Sequence, residues 1–302
     1  MRRVGNRALF AAATAAATTA ALLFGGSATA GAATGDPGIL RTVSPGVDTS
    51  FPSGQSMGTP ANKLQSHEFR PNEPDGPNRS NSANTARTAA SPTGVPIVSP
   101  TAVAGSPGLS KSFHALDGFD QRYANGGNQF SVEPPDQALC AGNGYVFEAV
   151  NDVLRVYSPT GNALSGVTDL NTFFGYGAQI NRTTGRVGPE IADPVCLFDQ
   201  ATSRWFVTVL TLDVKADGSL ASTNHLDIAV SRTANPLGAY TIYRLPVQDD
   251  GTAGTPRHTG CPCIGDYPHI GADKYAFFVT TNEYPYSSAP GIYGNNFNGA
   301  QV

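Results

Sequence analysis

The stretch IADPVCLFDQATSRWFVTVLTL, residues 191–212, has the composition of two β-strands joined by a turn. An aspartate and a proline precede a short apolar run, and after the polar segment DQATSR a longer apolar run begins near Trp205, which we expect to pack inside the fold. Runs rich in Val, Phe, Thr and Leu that are bounded by polar turn residues are typical of strands. The stretch therefore predicts a β-hairpin whose second strand is buried on both faces.

The same order of features occurs on both sides of this stretch. PPDQALCAGNGYVFEAV spans residues 134–150, and GDYPHIGADKYAFFVTT spans residues 265–281. Each copy has an aspartate beside a proline, or one residue from it, and an aromatic residue after the turn. The first turn contains Asn143-Gly144, the strongest short signal for a hairpin. The pattern indicates a chain built from repeats of one antiparallel unit.

Further strands follow these paired runs. VLRVYS at residues 153–158 follows the first copy, and HLDIAVS at 225–231 and AYTIYRLPV at 239–247 follow the second. Four antiparallel strands form one blade of a β-propeller. The predicted fold class is therefore all-β, a β-propeller of four-stranded antiparallel blades, and it is expected to be incomplete because FNGAQV, at the chain end, begins a new strand. A β-sandwich remains an alternative since the repeats are unevenly spaced, and no segment has a convincing helical period.

The first part of the chain has a different composition. Residues 1–30 combine three arginines with an apolar run and the small residues SATA, which predicts a secretory signal peptide. Residues 31–110 are dominated by Pro, Ser, Thr, Gly, Asn and Ala, and this composition predicts a disordered arm. Residues 111–302 hold the predicted propeller blades. The mature chain is therefore expected to be secreted, without a membrane span.

The net charge argues against nucleic acid as a partner. The chain has a formal net charge of −4, and removal of the three arginines of the signal peptide changes it to −7. The mature chain has no run of Lys or Arg, whereas nucleic-acid binding depends on clustered basic residues. The expected partner is instead an extracellular carbohydrate or protein.

Two motifs within the repeats carry a resemblance to a known family. DPVCLFDQATSRW, residues 193–205, has the pattern DP-x-x-x-x-D-x-x-x-x-RW, and DYPHIG, residues 266–271, has the pattern DYP-x-x-G. From about residue 115 onward the chain resembles a family of uncharacterised secreted bacterial β-propeller proteins. The resemblance implies a propeller fold and supplies no catalytic residues. SRTANPLGAY, residues 231–240, is similar to the Asp box of sialidase-like blades, with Thr233 in place of the aspartate, and its implied role is structural.

Four cysteines in an exported chain predict disulfide bonds. Cys140 and Cys196 occupy similar points in the first strands of consecutive units, so we expect them to pair. Cys261 and Cys263 would then pair with each other across one proline, in a tight ring that a reductant could open. Three alternatives stay open for this CPC segment: a redox role, an unpaired cysteine, and a zinc site with His258, although the sequence shows no second pair of zinc ligands.

Asp136, Asp193 and Asp266 are the candidate metal-binding or ligand-binding residues. The innermost strand of each propeller blade begins near the central channel, so equivalent aspartates are expected to converge there. Converging carboxylates can bind a hard cation through oxygen ligands, and calcium is the cofactor that such a ring predicts. The alternative is that each aspartate caps its own Asp-Pro turn by accepting hydrogen bonds from backbone N–H groups.

The sequence favours a binding or scaffold module over an enzyme. Aromatic residues in FFGYG, residues 173–177, and EYPYSSAPGIYG, residues 283–294, could stack on sugars or pack between blades. The alternative function is a secreted glycoside hydrolase or lyase of sialidase-like propeller type. YRLP, residues 243–246, suggests this alternative because it is similar to the arginine-bearing tetrapeptide of sialidases. In sialidases that tetrapeptide precedes the Asp boxes, whereas YRLP follows the degenerate one. The glutamates available for glycoside hydrolysis are Glu148, Glu190 and Glu283, with no role assigned to them.

Overall fold

The computed structural model describes residue 43 and residues 46–58, 111–132, 135–286 and 298–301. Strands dominate these ranges and form antiparallel sheets. The strands are β1 (Val47–Ser50), β2 (Gln137–Gly142), β3 (Tyr145–Val150), β4 (Val153–Tyr157), β5 (Thr168–Asp169), β6 (Ile180–Asn181), β7 (Arg186–Val187), β8 (Glu190–Asp199), β9 (Arg204–Val214), β10 (Leu220–Ser231), β11 (Ala239–Pro246), β12 (Cys263–Ala272), β13 (Phe277–Pro285) and β14 (Gly299–Gln301). Two short helices are α1 (Gly118–Gly127) and α2 (Leu170–Phe173).

The first sheet is a four-stranded antiparallel meander in the order β2-β3-β4-β5. β2 and β3 pair along their whole length. Asn143 and Gly144 connect them with φ angles of 46° and 80°, and positive φ at both turn residues is what the favoured two-residue hairpin turn requires. The predicted Asn-Gly hairpin is therefore confirmed.

The second and third sheets are also antiparallel, with five and three strands. The second has the order β8-β9-β10-β11 with β1 added beside β11, and the third has the order β12-β13-β14. β8, the first strand of the second sheet, contacts both β2 and β12, the first strands of the other two sheets. Neighbouring first strands are what successive blades of a propeller present. The described residues thus contain several antiparallel sheets, of which the first has four strands, the second five, the third three and a separate β6-β7 pair two, and within these residues no closed ring is formed.

Trp205 anchors the core between the first and second sheets. It is fully buried, and its ring lies 4.7 Å from the ring of Phe198 and 6.3 Å from that of Phe147. Its indole N–H donates a hydrogen bond of 2.9 Å to the carbonyl oxygen of Ala234, so the polar end of the buried ring is satisfied. The packing role predicted for this residue is confirmed. Tyr275, at the equivalent point of the third copy, is instead 78% exposed.

The hairpin between β10 and β11 contains the segment that is similar to an Asp box. Ser231 Oγ accepts a hydrogen bond of 2.8 Å from the backbone N–H of Trp205 and donates one of 2.7 Å to the carbonyl oxygen of Thr233. Tyr240 Oη donates a hydrogen bond of 2.8 Å to the carbonyl oxygen of Pro236. These bonds attach the turn to the core, so the segment has the structural role that the resemblance implies.

The two helices differ from the expectation that no segment is helical. Asp117 precedes α1, and its carboxylate accepts hydrogen bonds from the backbone N–H groups of Phe119 and Asp120 at 2.9 and 3.1 Å. The Asp120 carboxylate in turn accepts from the N–H of Asp117, which completes a capping box. This cap supports a helix too short to show an apolar period. No helix among the described residues is long and apolar enough to cross a membrane.

Part of the predicted disordered arm is an ordered strand. β1 pairs antiparallel with β11 at the edge of the second sheet, so its backbone groups gain partners there. Asp48 accepts hydrogen bonds from Arg232 at 2.9 Å and from Thr241 at 2.8 Å. The expectation of disorder is therefore wrong for residues 46–58. The rest of the predicted arm, except residue 43, and the predicted signal peptide lie outside the described residues.

Both predicted disulfide bonds are present. Cys140 in β2 is bonded to Cys196 in β8 and joins the first two sheets, and Cys261 is bonded to Cys263. No cysteine is free. The structure therefore contradicts the alternative of an unpaired cysteine.

Loss of the bond between sheets should be costly. Because it closes a loop with a sequence separation of 56, replacing Cys140 and Cys196 together with serine should lower the free energy of unfolding by about 2–4 kcal/mol. Denaturant unfolding of the oxidised protein measures this loss. The matched control replaces Cys261 and Cys263, whose separation is 2 and whose ring constrains little of the unfolded chain. Equal losses in the two double variants would contradict the prediction.

Candidate functional site

The three predicted aspartates come together where the first strands of the three sheets begin. Asp136 directly precedes β2, Asp193 lies in β8 and Asp266 lies in β12. The carboxyl groups of Asp193 and Asp136 share a hydrogen bond, and the charge of Asp266 also acts on Asp193. Three successive sheets therefore each contribute one carboxyl group to a single cluster, which we call the aspartate cluster.

Bulges in two strands set the direction of these side chains. The register of β8 against β9 shifts next to Asp193, and that of β12 against β13 shifts next to Tyr267. Asp193 has a φ of 54° and Tyr267 a φ of 48°, a region that residues other than glycine rarely adopt. Asp193 Oδ2 accepts a hydrogen bond of 3.2 Å from the backbone N–H of Tyr267. Asp193 thus bonds the backbone of the next sheet, which differs from the alternative in which each aspartate caps its own turn.

Burial and like charge make Asp193 a weak acid. Burial, followed by the charges of Asp266 and Asp136, raises the pKa of Asp193 to about 7, against the opposing hydrogen bond from Tyr267. Burial also raises the pKa of Asp136, and the hydrogen bond with Asp193 opposes that rise. A hydrogen bond between two carboxyl groups requires a proton on one of them, and the higher pKa makes Asp193 the donor when the pair is protonated. With a pKa of about 7, that proton is present about half of the time at neutral pH.

The aspartate cluster is less suited to calcium than the sequence suggests. Ligand-type atoms of three residues come within 4.8 Å of one another only in a set formed by His258, Cys261 and Glu283, among the residues that the structure describes. The three aspartates do not form such a set, and calcium takes six to eight oxygen ligands. Calcium binding at the aspartate cluster therefore stays a prediction.

An exposed tyrosine is bonded through its backbone to the aspartate cluster. Tyr267, whose N–H binds Asp193, has a side chain that is 47% exposed. Its ring meets the ring of His269 edge-on at 4.8 Å. An exposed tyrosine next to carboxyl groups offers a flat apolar surface together with hydrogen-bonding groups. No feature of the sequence pattern distinguishes this residue, although it stands inside the DYP motif.

A second polar cluster lies across β9, β10 and β11 and centres on the fully buried carboxylate of Asp227. Thr211 Oγ1 and Tyr176 Oη each donate a hydrogen bond of 2.7 Å to its Oδ2, and Arg244 Nε donates one of 3.1 Å to its Oδ1. His225 Nε2 lies 2.8 Å from Tyr176 Oη and 3.4 Å from Asp227 Oδ2. These residues form what we call the Asp227 cluster, which joins the second sheet to the connection that follows α2.

The Asp227 cluster explains two segments that carried functional hypotheses. Arg244 of YRLP binds Asp227 and lies 4.6 Å from the centre of the Tyr176 ring, so it belongs to an internal network. Phe173 and Phe174 of FFGYG are buried, and their rings meet edge-on at 5.0 Å. Packing, the alternative to sugar stacking, is therefore the role of these two rings. Of EYPYSSAPGIYG, the structure describes residues 283–286.

His225 carries a positive charge within this cluster. Burial lowers the pKa of His225, but hydrogen bonds to Asp213 and Asp227 and the charges of both outweigh it and raise the pKa to about 9. A sequence signal for this pair exists, because His225 and Asp227 are two residues apart in an otherwise apolar strand and share one face of the sheet. Polar residues on a buried face indicate a hydrogen-bond network, but the sequence alone does not identify its other members.

The raised pKa of His225 predicts a loss of stability in alkali. The folded pKa of about 9 lies above the ordinary value of 6.5. The contribution of His225 to the free energy of unfolding is therefore fully present below pH 6.5 and is lost as pH rises through about 9. The difference in free energy of unfolding between wild type and His225→Gln should therefore shrink between pH 6.5 and 9. Thermal or denaturant unfolding across this range measures it. His114→Gln, at a side chain that is 83% exposed, is the control, and a pH-independent difference for His225→Gln would contradict the prediction.

Comparisons with known proteins give distant structural similarity alone. No protein-family model matches the chain, and no curated protein matches it. Solved structures that align with it include an exo-β-1,3-galactanase from Clostridium thermocellum, at 13% identity and a TM-score of 0.30 over 57% of this chain and 38% of that chain. Another is an exo-β-1,3-galactanase from Phanerochaete chrysosporium with galactose, at 12% identity and a TM-score of 0.27 over 57% and 39%. The chain spans less than half the length of these two structures, and similarity at this level does not establish a shared activity.

Proposed function

We propose that this protein is exported and cleaves glycosidic bonds in an extracellular polysaccharide, with the aspartate cluster as its active site. The observation that carries the proposal is the meeting of three carboxyl groups from three successive sheets, with the pKa of the central one raised to about 7. This is the alternative function of the sequence analysis, and the geometry supports it better than binding alone.

The cluster contains the groups that glycoside hydrolysis needs. A carboxylic acid must protonate the leaving-group oxygen, and a carboxylate must activate water or stabilise the developing positive charge on the sugar ring. Asp193 is the acid, because burial and its neighbours raise its pKa to about 7. Asp266 is the candidate carboxylate, because Asp136 is hydrogen-bonded to the acid itself and the two catalytic carboxyl groups of a glycosidase stand about 5–10 Å apart. The charges of Asp266 and Asp136 both raise the pKa of Asp193.

Tyr267 supports a sugar as the substrate. Tyr267 is exposed, and its backbone N–H donates a hydrogen bond to Asp193. Sugar rings present an apolar face that stacks on aromatic side chains. One residue thus connects the binding surface to the carboxyl group that donates the proton.

Binding of a carbohydrate without cleavage is the second candidate function. Exposed aromatic residues in β13 and in the turn before it favour this binding function. Tyr275 is 78% exposed and Phe278 is 52% exposed. Lys274 Nζ lies 4.6 Å from the centre of the Tyr275 ring. These side chains could hold a polysaccharide at a distance from the aspartate cluster.

The test is a screen of the full-length exported protein on a panel of extracellular polysaccharides, with retention and release of soluble sugar both measured. Retention with release supports the proposed hydrolase. Retention without release supports the second candidate and contradicts cleavage. If the protein neither retains nor releases any polysaccharide, carbohydrate is the wrong class of partner.

A further inference from the structure

A third polar cluster lies beside the CPC segment. His258 Nδ1 lies 2.6 Å from Glu283 Oε2, and Cys261 Sγ lies 3.4 Å from Glu283 Oε1. The sequence offered His258, Cys261 and Cys263 as zinc ligands but no further ligand. The fold supplies it, because Glu283 reaches the segment from β13 through the pairing of that strand with β12. We call these four residues the CPC cluster.

Buried negative charge surrounds the histidine. The side chains of Asp249 and Glu283 are 0% and 3% exposed, and His258 Nδ1 lies 3.4 Å from Asp249 Oδ2 as well as close to Glu283. Two buried carboxylates around one imidazole create a site that favours positive charge.

We propose that reduction of the Cys261–Cys263 disulfide opens a Zn²⁺ site formed by Cys261, Cys263, His258 and Glu283. A dithiol supplies two electrons and two protons, the S–S bond breaks, and the dithiol becomes a cyclic disulfide. Zn²⁺ then binds both sulfurs as thiolates and releases their two protons. His258 Nδ1 and the Glu283 carboxylate, which already lie 2.6 Å apart, supply the other two ligands.

The ligand set suits zinc better than a harder cation. Two thiolates, one imidazole and one carboxylate make a four-coordinate set of the kind that Zn²⁺ accepts, whereas calcium and magnesium require oxygen ligands alone. In the oxidised protein the sulfurs are bonded to each other and cannot act as thiolates, so the site is closed. Asn298 Nδ2 donates a hydrogen bond to Glu283 Oε1 and lies 3.8 Å from Cys261 Sγ, where it can orient both ligands.

The test is a titration of the mature protein with Co²⁺ and Zn²⁺, before and after reduction by a dithiol that is then removed without oxygen. The reduced protein should bind one equivalent of Co²⁺ with thiolate-to-cobalt charge-transfer absorption, and Zn²⁺ should displace it. The oxidised protein should bind about 100-fold more weakly or worse, since two of four ligands are missing. Absence of the absorption band in the reduced protein overturns the proposal.

Variants separate this site from the other thiols, because reduction also opens Cys140–Cys196. The double variant C261S/C263S should lose the cobalt band under the same conditions, and persistence of the band overturns the assignment. H258Q and E283Q should each weaken binding by about 10–100-fold and alter the visible cobalt spectrum. If neither does, the two thiols bind the metal alone and the four-ligand site is wrong. Circular dichroism of each oxidised variant shows whether it is folded.

Discussion

Asp193→Asn should reduce the rate of sugar release by about 10²–10⁴-fold, the usual contribution of a general acid. The amide cannot protonate the leaving-group oxygen, yet it can still accept the hydrogen bond that Tyr267 donates to Asp193. We therefore expect kcat to fall while KM changes little, measured on the polysaccharide that the screen identifies. Asp217→Asn, in an exposed turn, is the matched control and should leave the rate unchanged.

The same variant should be at least as stable as the wild type at alkaline pH. A carboxyl group whose folded pKa of about 7 lies above its ordinary 3.8 contributes stability at low pH that is lost as pH rises through about 7. Asparagine removes the charge that causes this loss, so the melting temperature of Asp193→Asn at pH 8 should equal or exceed that of the wild type. This measurement shows whether a loss of rate comes from unfolding. Full activity of the folded variant would contradict the role of Asp193.

Asp227→Ala should lower the free energy of unfolding by about 3–5 kcal/mol, because it leaves buried positive charge uncompensated. The carboxylate is fully buried and receives hydrogen bonds from Thr211, Tyr176 and Arg244. Its removal leaves two hydroxyl groups and a guanidinium group without their acceptor. Denaturant unfolding at pH 7 measures the loss.

Asp213→Asn is the control for this prediction. Asp213 also faces His225, with 3.7 Å between its Oδ1 and Nδ1 of the histidine, but its side chain is 36% exposed. Water can replace part of what is lost there, so we expect a cost of about 1 kcal/mol or less. Similar small losses in both variants would show that the Asp227 cluster contributes little to stability.

The elements that the sequence predicts well are those specified by local residues. Asn143-Gly144 specifies a hairpin by its backbone preferences alone, and the apolar runs on either side specify the strands. The repeated aspartates indicate equivalent positions in successive sheets, so their convergence follows once the sheets are neighbours. The pairing of Cys140 with Cys196 follows from the same equivalence.

The elements that the sequence does not predict depend on partners far along the chain. β1 is a strand because β11 offers it an edge, and a run such as VDTS shows no preference strong enough to reveal this. Arg244 finds Asp227 across a strand pair, and Glu283 reaches His258 from β13. Such contacts depend on strand register, which the composition of a single segment does not specify.

The proposed chemistry depends on a proton held by Asp193 at neutral pH, and titration of that carboxyl group tests it without a substrate. Carbon-13 NMR of the folded protein, with aspartate carboxyl carbons labelled, gives the titration, and Asp193→Asn identifies the signal. We predict a carboxyl group with an apparent pKa of about 7, which moves down in Asp266→Asn because the neighbouring negative charge is gone. If every aspartate titrates near the ordinary value of 3.8, the aspartate cluster holds no proton at neutral pH and the proposed active site is wrong.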